Sequence, residues 1–464
     1  MSINDIKKLI KSNPDLKIRE LIINKVKIYI IFFESLTNSS DINDYILKPI
    51  LYENINTINS IKTKLPFNNY IDITKEEELL YALYSGFCII CIKKDYVAFE
   101  TKYSLDSGIN EASNEKVIKG PKDAFTENYQ INLGLIRKRI KSKYLKVNEF
   151  IVGKSSKTKV SLIYIKNITN KEIISRIKKR INNIDIDYLA NSNYISELLH
   201  ENKTIFPTSI MTERPDLVSF SLMEGRCALL IENSPQVLIM PAFLADNLKS
   251  VDDYYQNSKN VSITRIIRII SFIVAIVTPG FYIALTTFNQ ETLPTTLLIN
   301  FSMQREGVPF PSSVEAFILW LIFEILREAD TRVPFVVGSS MSIVGALVLG
   351  QAAVDAGMIS PIMIIIIAIS SVASFLFNDN DIVNAIRIWK LIFLLLGSFV
   401  GLYGIFIASI LFLIRICSIN SLGFDYTYPF APFNLKEQKN NLLLNNNYKL
   451  FKRNSILTKN TNRR

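Results

Sequence analysis

The sequence predicts an α+β or α/β cytoplasmic N-terminal region of two similar subdomains, followed by an all-α polytopic membrane domain. Three observations carry this expectation. First, 49% of the residues are apolar but they are unevenly placed. Up to about residue 260 short apolar runs alternate with Lys, Asn, Asp and Glu, whereas from Ile263 to Cys417 the runs reach membrane-spanning length. Second, the polar half looks duplicated. Gly86-Phe87-Cys88 matches Gly225-Arg226-Cys227, each after a helical pattern and before a hairpin. Glycine stops a helix there because it takes positive φ without strain. Third, Pro309 to Pro361 combines acidic and basic residues with long apolar runs and then a stretch rich in Gly, Ala and Ser. A simple lipid anchor needs neither buried charge nor a face of small residues.

The first copy, within residues 1–118, begins with the strand Val26–Leu36 and a helix from Asp41 to about Asn54. The helix Glu76–Tyr84 and the strands GFCIICI and DYVAFE complete it. Residues 119–145 form a connecting helix, opened by the turn pair Gly120-Pro121 and ending in the basic run Arg137-Lys138-Arg139. That run is either a solvated face or a contact to a partner subunit or anionic lipid. The second copy, residues 146–260, has the strand Thr158–Ile168, the helix Lys171–Ile184, a helix over Arg214–Gly225 and the hairpin Arg226–Met240. Thr212 caps the Arg214 helix, and Arg214, Asp216 and Arg226 are candidates for a subdomain interface.

Residues 261–417 form the membrane domain, with about four spans plus a charged helix over 312–329. The spans are Ile266–Phe288, kinked at Pro279-Gly280, then Pro334–Val354, Ile362–Phe377 and about Leu391–Ile416. Asn289 to Pro311 reads as a polar loop. On the charged helix, Glu324, Arg327 and Glu328 share one face and Glu315 lies a few turns earlier. Charge in hydrocarbon turns toward protein or water, so this helix either lies at the interface or lines an aqueous path. The span Pro334–Val354 carries small residues at helical spacing. Gly338, Ser339, Ser342, Gly345, Ala346, Val348 and Gly350 are candidates for subunit packing or a pore wall. Residues 418–464 are a basic cytoplasmic tail, and an even number of crossings follows if both termini lie inside.

The formal net charge of +11 is spread over amphipathic segments and the tail, which marks a cytoplasmic side rather than a nucleic-acid footprint. Cys88 and Cys91 sit in a strand pattern that points them to opposite faces, and they read as buried apolar residues. With one histidine, His200, and no phosphate loop or nucleophile–base pattern, the sequence offers no catalytic, cofactor or metal site. Met1 to Ile10 does not read as a signal peptide.

In the order Gly120-Pro121, Asn132–Lys141, Thr212–Asp216, Glu224-Gly225-Arg226, Asp252–Tyr255, Glu306–Pro311, Phe323–Ala329, Ile343–Ala353, Ser360-Pro361 and Ala431–Phe433, the chain resembles the A subunit of the GerA-family spore germination receptors. Asp330 stands where that family usually has Gly. The resemblance implies a nutrient-sensing receptor subunit in the inner membrane of a bacterial spore, with both termini cytoplasmic. It also implies a transporter-like B subunit and a lipoprotein C subunit as partners, contact with membrane lipid, and homo-oligomerisation into a nutrient-gated cation channel. The alternatives are a non-conducting scaffold for the transporter-like partner, or a secondary transporter.

Overall fold

Two five-stranded antiparallel sheets with one shared topology make up the first half of the chain. The computed structural model describes residues 6, 13–53, 55–67, 70–93, 95–103, 115, 119–199, 204–330, 350–377, 379–434 and 453–458. The first repeat contains β1 (Leu16–Ile23), β2 (Val26–Phe33), a helical run over 39–52, α1 (Ile58–Lys64), β3 (Tyr70–Ile73), α2 (Glu76–Tyr84), β4 (Phe87–Ile92) and β5 (Asp95–Glu100). Its strand order is β1-β2-β4-β5-β3. After the connecting helix α3 (Tyr129–Arg139) come β6 (Leu145–Val152), β7 (Thr158–Ile165), α4 (Lys171–Asn182), α5 (Ser192–Leu199), β8 (Ile210–Thr212), α6 (Pro215–Met223), β9 (Cys227–Ile231) and β10 (Val237–Met240). Their order, β6-β7-β9-β10-β8, repeats the first sheet strand for strand. Every pairing is antiparallel, so the region is α+β.

The connecting helix is not a charged surface helix. Its residues Tyr129 and Asn132 to Arg137 are buried, and Leu133, Leu135 and Ile136 join one hydrophobic core with Ile31, Ile89 and Ala98 of the first sheet and Val147, Ile163 and Ala228 of the second. Arg137 is wholly buried. Its Nε donates to Asp15 Oδ2 at 2.7 Å and its Nη2 to Asp15 Oδ1 at 2.6 Å, while its guanidinium lies 4.3 Å from the Phe33 ring centroid. Neither a solvated face nor a lipid contact describes this residue. A buried charge is stable only when paired and hydrogen-bonded, and Asp15 provides that pairing.

Beyond the joint lies a helical layer: α7 (Ser258–Ile283), extended by a π-helical turn Ala284–Phe288, then α8 (Thr295–Gln304), α9 (Ser312–Asp330), α10 (Pro361–Ser374), α11 (Asn380–Val400) and α12 (Leu402–Cys417). The region read as a polar loop therefore holds α8, which leaves Ile299 and Met303 exposed. The run read as one last span is instead a helical hairpin. Gly401 (φ 68°, ψ −145°) breaks it, a conformation open to glycine alone. Trp389 then meets Phe412 across the hairpin at 5.0 Å between ring centroids.

Contacts along the helices give their directions. Phe272 in the middle of α7 meets Phe377, Ser370 Oγ donates to Ala275 O at 2.7 Å, and Tyr282 and Ile283 pack with Met363. So α10 runs antiparallel to α7. Gly280 abuts Phe393, and Asn289 Oδ1 accepts from Leu402 N at 3.2 Å, so α11 runs parallel to α7 and α12 returns. In α9, Glu315 accepts from Ser360 N and Oγ at 2.9 and 2.7 Å, beside the start of α10, and Ala316 and Leu319 share a core with Met363 and Ile367. The charged helix thus runs through the layer alongside α10 and does not lie across one end. Its outer faces are apolar: Ile270, Ile273, Phe399, Phe406, Leu413 and Ile414 are all exposed.

Candidate functional site at the joint between the second repeat and the helical layer

Charged side chains that the sequence scatters over Gly120 to Arg268 converge where the second repeat meets α7. Pro215 occupies the first turn of α6, where its missing N–H is no loss, and this places Arg214 at the helix start. Arg214 Nε and Nη2 donate to the two carboxylate oxygens of Asp216 at 3.0 and 2.6 Å. Tyr255 OH donates to the same carboxylate at 2.6 Å. The Tyr255 ring also covers Gly120, where a Cβ would come within 3.0 Å of it. Arg214 and Asp216 therefore hold together the connecting segment, α6 and the exit toward the helical layer.

A second knot forms one layer deeper. Arg226 Nη2 lies 2.7 Å from Asp246 Oδ2, and Lys249 Nζ lies 3.1 Å from Asp246 Oδ1. Burial alone raises the Asp246 carboxyl, but the charges of Arg226 and Lys249 outweigh it and hold the group at about 2. A third knot ties the linker to α7. Asp253 accepts from Arg265 Nε at 2.9 Å and from Arg268 Nη1 at 3.0 Å. These two arginines read in the sequence as charges flanking a span, and the structure adds that both are spent on one buried carboxylate. A local signal for this exists in the Asp252-Asp253 pair, one helix before the basic residues.

Between these knots is a cavity of about 220 Å³, lined among others by Glu115, Arg214, Arg226, Asp246, Asp379 and Asp381. Glu115 is pushed up to about 7 by burial, although Thr212 Oγ1 donates to it at 2.6 Å. Asp379, at the entrance to α11, is raised to about 6, again by burial. One nitrogen of Arg214, Nη1, is buried without a hydrogen-bond partner. A polar, carboxylate-rich cavity is thus bounded by both halves of the chain.

The second charged centre lies inside the helical layer. Glu324 Oε2 is 3.1 Å from Arg327 Nη2 and 2.7 Å from Arg387 Nε, and Lys390, 5% exposed, lies within electrostatic reach. Glu328 is exposed one turn on. Glu315 is 0% exposed and bonded to Ser360 and to Arg305 at 3.3 Å, apart from the Glu324 cluster. Sequence reasoning finds Glu324 and Arg327, and takes Arg387 and Lys390 only as the charges at the entry of the last span, not as partners of Glu324. Their i, i+3 spacing inside an apolar run was the available signal.

Of the small-residue face, Gly338, Ser339, Ser342, Gly345, Ala346 and Val348 lie outside the described residues. Gly350 is described, and among the described residues a Cβ there would meet only the Ile364 side chain, at 3.9 Å. Among the described residues, close helix approach occurs at other glycines: a Cβ on Gly280 would overlap the Phe393 carbonyl oxygen, and one on Gly404 the Leu396 carbonyl oxygen. Cys88, Cys91 and Cys227 are buried, and Cys417 is exposed. Among the described residues no group of three or more His, Cys, Asp or Glu is placed to hold a metal.

Among the described residues two helices, Ser258–Phe288 and Asn380–Val400, are long and apolar enough to cross a membrane. Comparison with known proteins gives the chain its family. The model of the "Bacillus/Clostridium GerA spore germination protein" family matches residues 4–456. Spore germination protein KA of Bacillus subtilis is 36% identical over 452 residues, covering 95% of this chain and 83% of that protein. Spore germination protein A1 of the same organism is 31% identical, covering 94% and 91%. A protein named "Uncharacterized membrane protein YfkQ" from B. subtilis is 32% identical, covering 89% and 82%. Among solved structures, the N-terminal domain of the A subunit of the Bacillus megaterium spore germinant receptor GerK3 aligns with a TM-score of 0.39 and 27% identity, over 52% of this chain and 94% of that one. With 36% identity across most of both chains and a family model spanning nearly the whole sequence, this chain belongs to the GerA spore germination protein family.

Proposed function

We propose that this chain is the A-type subunit of a nutrient-sensing spore germination receptor, and that copies of it assemble into a nutrient-gated cation channel in the inner membrane of the spore. Family membership supports the role in germination. The observation that carries the channel reading is the cluster of Glu324, Arg327, Arg387 and Lys390, which lies within a layer whose outer surface is apolar. Charge at that depth is costly and is retained where it faces protein or a water-filled path. A mere anchor has no use for it.

In this reading the helical layer crosses the membrane. Four crossings come from α7, α10, α11 and α12. The charged helix α9 makes a fifth, and the return of the chain between residues 330 and 360 a sixth, which keeps both soluble repeats and the residues after α12 in the cytoplasm. The small-residue face from Gly338 to Gly350 lines or packs the centre of the oligomer. A transporter-like B subunit and a lipoprotein C subunit complete the receptor, and nutrient binding shifts the closed–open equilibrium by its differential affinity for the two states. The joint transmits that shift between the repeats and the helices.

The test is single-channel recording of the purified protein reconstituted with its partner subunits, with and without candidate amino acids. Nutrient-dependent cation current is expected. Absence of current in a preparation that still assembles would make the subunit a non-conducting scaffold, and saturable amino-acid flux without current would make it a transporter. Gly345→Leu is expected to abolish assembly or conduction, and normal cation release from spores carrying it would refute the placement of the pore.

A further inference from the structure

The two repeats share every strand but are not finished in the same way. In the first, the chain leaving β5 stays beside the chain that leaves β2. Thr37 pairs with Lys102, and Asn38 N donates to Thr101 O at 2.8 Å. In the second repeat the chain leaving β10 departs for the joint and the helical layer, so nothing directly following β10 fills the equivalent position. The position is filled all the same. Thr169, the counterpart of Thr37, pairs with Thr458, and Asn170 N donates to Leu457 O at 3.0 Å.

The two glycines that end α2 and α6 border the same slot. A Cβ on Gly86 would come within 2.9 Å of Leu36 O and 3.0 Å of Lys102 Cγ. One on Gly225 would come within 2.6 Å of Thr458 Cγ2 and 2.7 Å of Leu457 O. Leu457 is buried in the core of the second sheet beside Val160, Leu229 and Leu238, Asn170 Nδ2 donates to Ile456 O at 3.3 Å, and Arg453 Nε donates to Met223 O at 2.8 Å.

We propose that this edge of the second repeat is a peptide-binding slot, and that its occupant is the chain's own segment Asn454–Thr458, which replaces the Thr101–Lys102 stretch of the first repeat. The chemistry is that of strand addition: main-chain hydrogen bonds supply pairing and one aliphatic side chain, Leu457, supplies the anchor. The slot takes a short extended or turn-forming peptide with an aliphatic residue next to a β-branched one.

Two measurements on the full chain test the proposal. In a Cys417→Ser background, Thr169→Cys with Thr458→Cys is expected to form a disulfide on mild oxidation, read as a linked peptide in a non-reducing digest; Ser155→Cys with Thr458→Cys should not. A chain ending at Lys452 is expected to melt several degrees lower. A synthetic peptide covering 453–464 added in trans should restore the melting point, and the same peptide with Leu457→Asp should not. No linked peptide, or a truncated chain that melts like the full one, overturns the proposal. If the truncated chain fails to fold, the crosslink alone decides.

Discussion

Replacing Arg137 by Met separates a buried pin from a surface charge. Arg137 reaches across 122 residues of sequence to Asp15 with two short hydrogen bonds, and Nη2 also donates to Asn13 at 3.1 Å. Met fills most of the same volume, so the loss is chiefly electrostatic. Asp15 is 2% exposed, and the variant leaves its carboxylate with Ser35 Oγ, at 2.7 Å, in place of the guanidinium. Removing one partner of a buried ion pair costs about 3–5 kcal/mol, because the other charge stays behind without compensation. In a soluble region of this size that lowers the melting temperature by about 6–20 °C. The double variant Arg137→Met with Asp15→Leu removes the stranded charge as well and is expected to recover most of the loss, since an apolar pair of similar volume often matches a buried ion pair. The assay is thermal unfolding of the full chain followed by circular dichroism. Tryptophan fluorescence is a control for the helical layer, because Trp320 and Trp389 both lie there. A single variant within about 1 kcal/mol of wild type, or a double variant no better than the single, would show that Arg137 does not pin α3 to the first repeat through Asp15.

Three further outcomes follow from the geometry. Gly280→Leu places a side chain where even a Cβ overlaps the Phe393 carbonyl oxygen, so it should lower the yield of folded protein. Glu324→Gln leaves Arg327, Arg387 and Lys390 facing one another and should destabilise the helical layer by roughly 1–3 kcal/mol, read as a lower melting point followed through tryptophan fluorescence. Glu115 is raised in the folded state from 4.5 to about 7 by burial, so the folded protein holds its proton longer than the unfolded chain does. Stability should therefore fall as pH rises from about 4.5 to 7 and level off above. Glu115→Gln should flatten that slope in a pH series of melting points.

How far the sequence could be read depended on whether the deciding contact was local. The helix-to-hairpin ends at Gly86 and Gly225 were legible because a helix stop and the strand after it are written within a few residues, and they exposed the duplication. The edge strands β1 and β6 were not, since LKIRELII and LKVNEFIV each have polar residues along much of their length and little to distinguish them from amphipathic linkers. The candidate interface residues Arg214, Asp216 and Arg226 stood out as charges at a helix start and end, but their partners Tyr255 and Asp246 lie one element farther along. Hydropathy alone sees 391–416 as a single run and has no term for the reversal that Gly401 makes possible.

That reversal bears most on the reading of the charged helix. With the last apolar run taken as one crossing, an even count could be kept only by laying 312–329 across one end of the layer. The hairpin adds a pass and reverses the constraint: an even count now requires α9 to cross. Glu315 then sits beside Ser360 at the end of the layer remote from the repeats, and Glu324, nine residues on, meets Arg387 on α11. Those two contacts lie about 13 Å apart along a helix rising 1.5 Å per residue, nearly half the depth of a hydrocarbon core. The acidic residues of α9 are thus divided by depth as well as by partner: Glu315 is spent on fastening α9 to the start of α10, and Glu324 gathers the basic residues of two helices near the middle of the layer. Under the channel reading proposed above, Glu324, Arg387 and Lys390 are therefore the described residues to mutate before Glu315 when cation release is the readout.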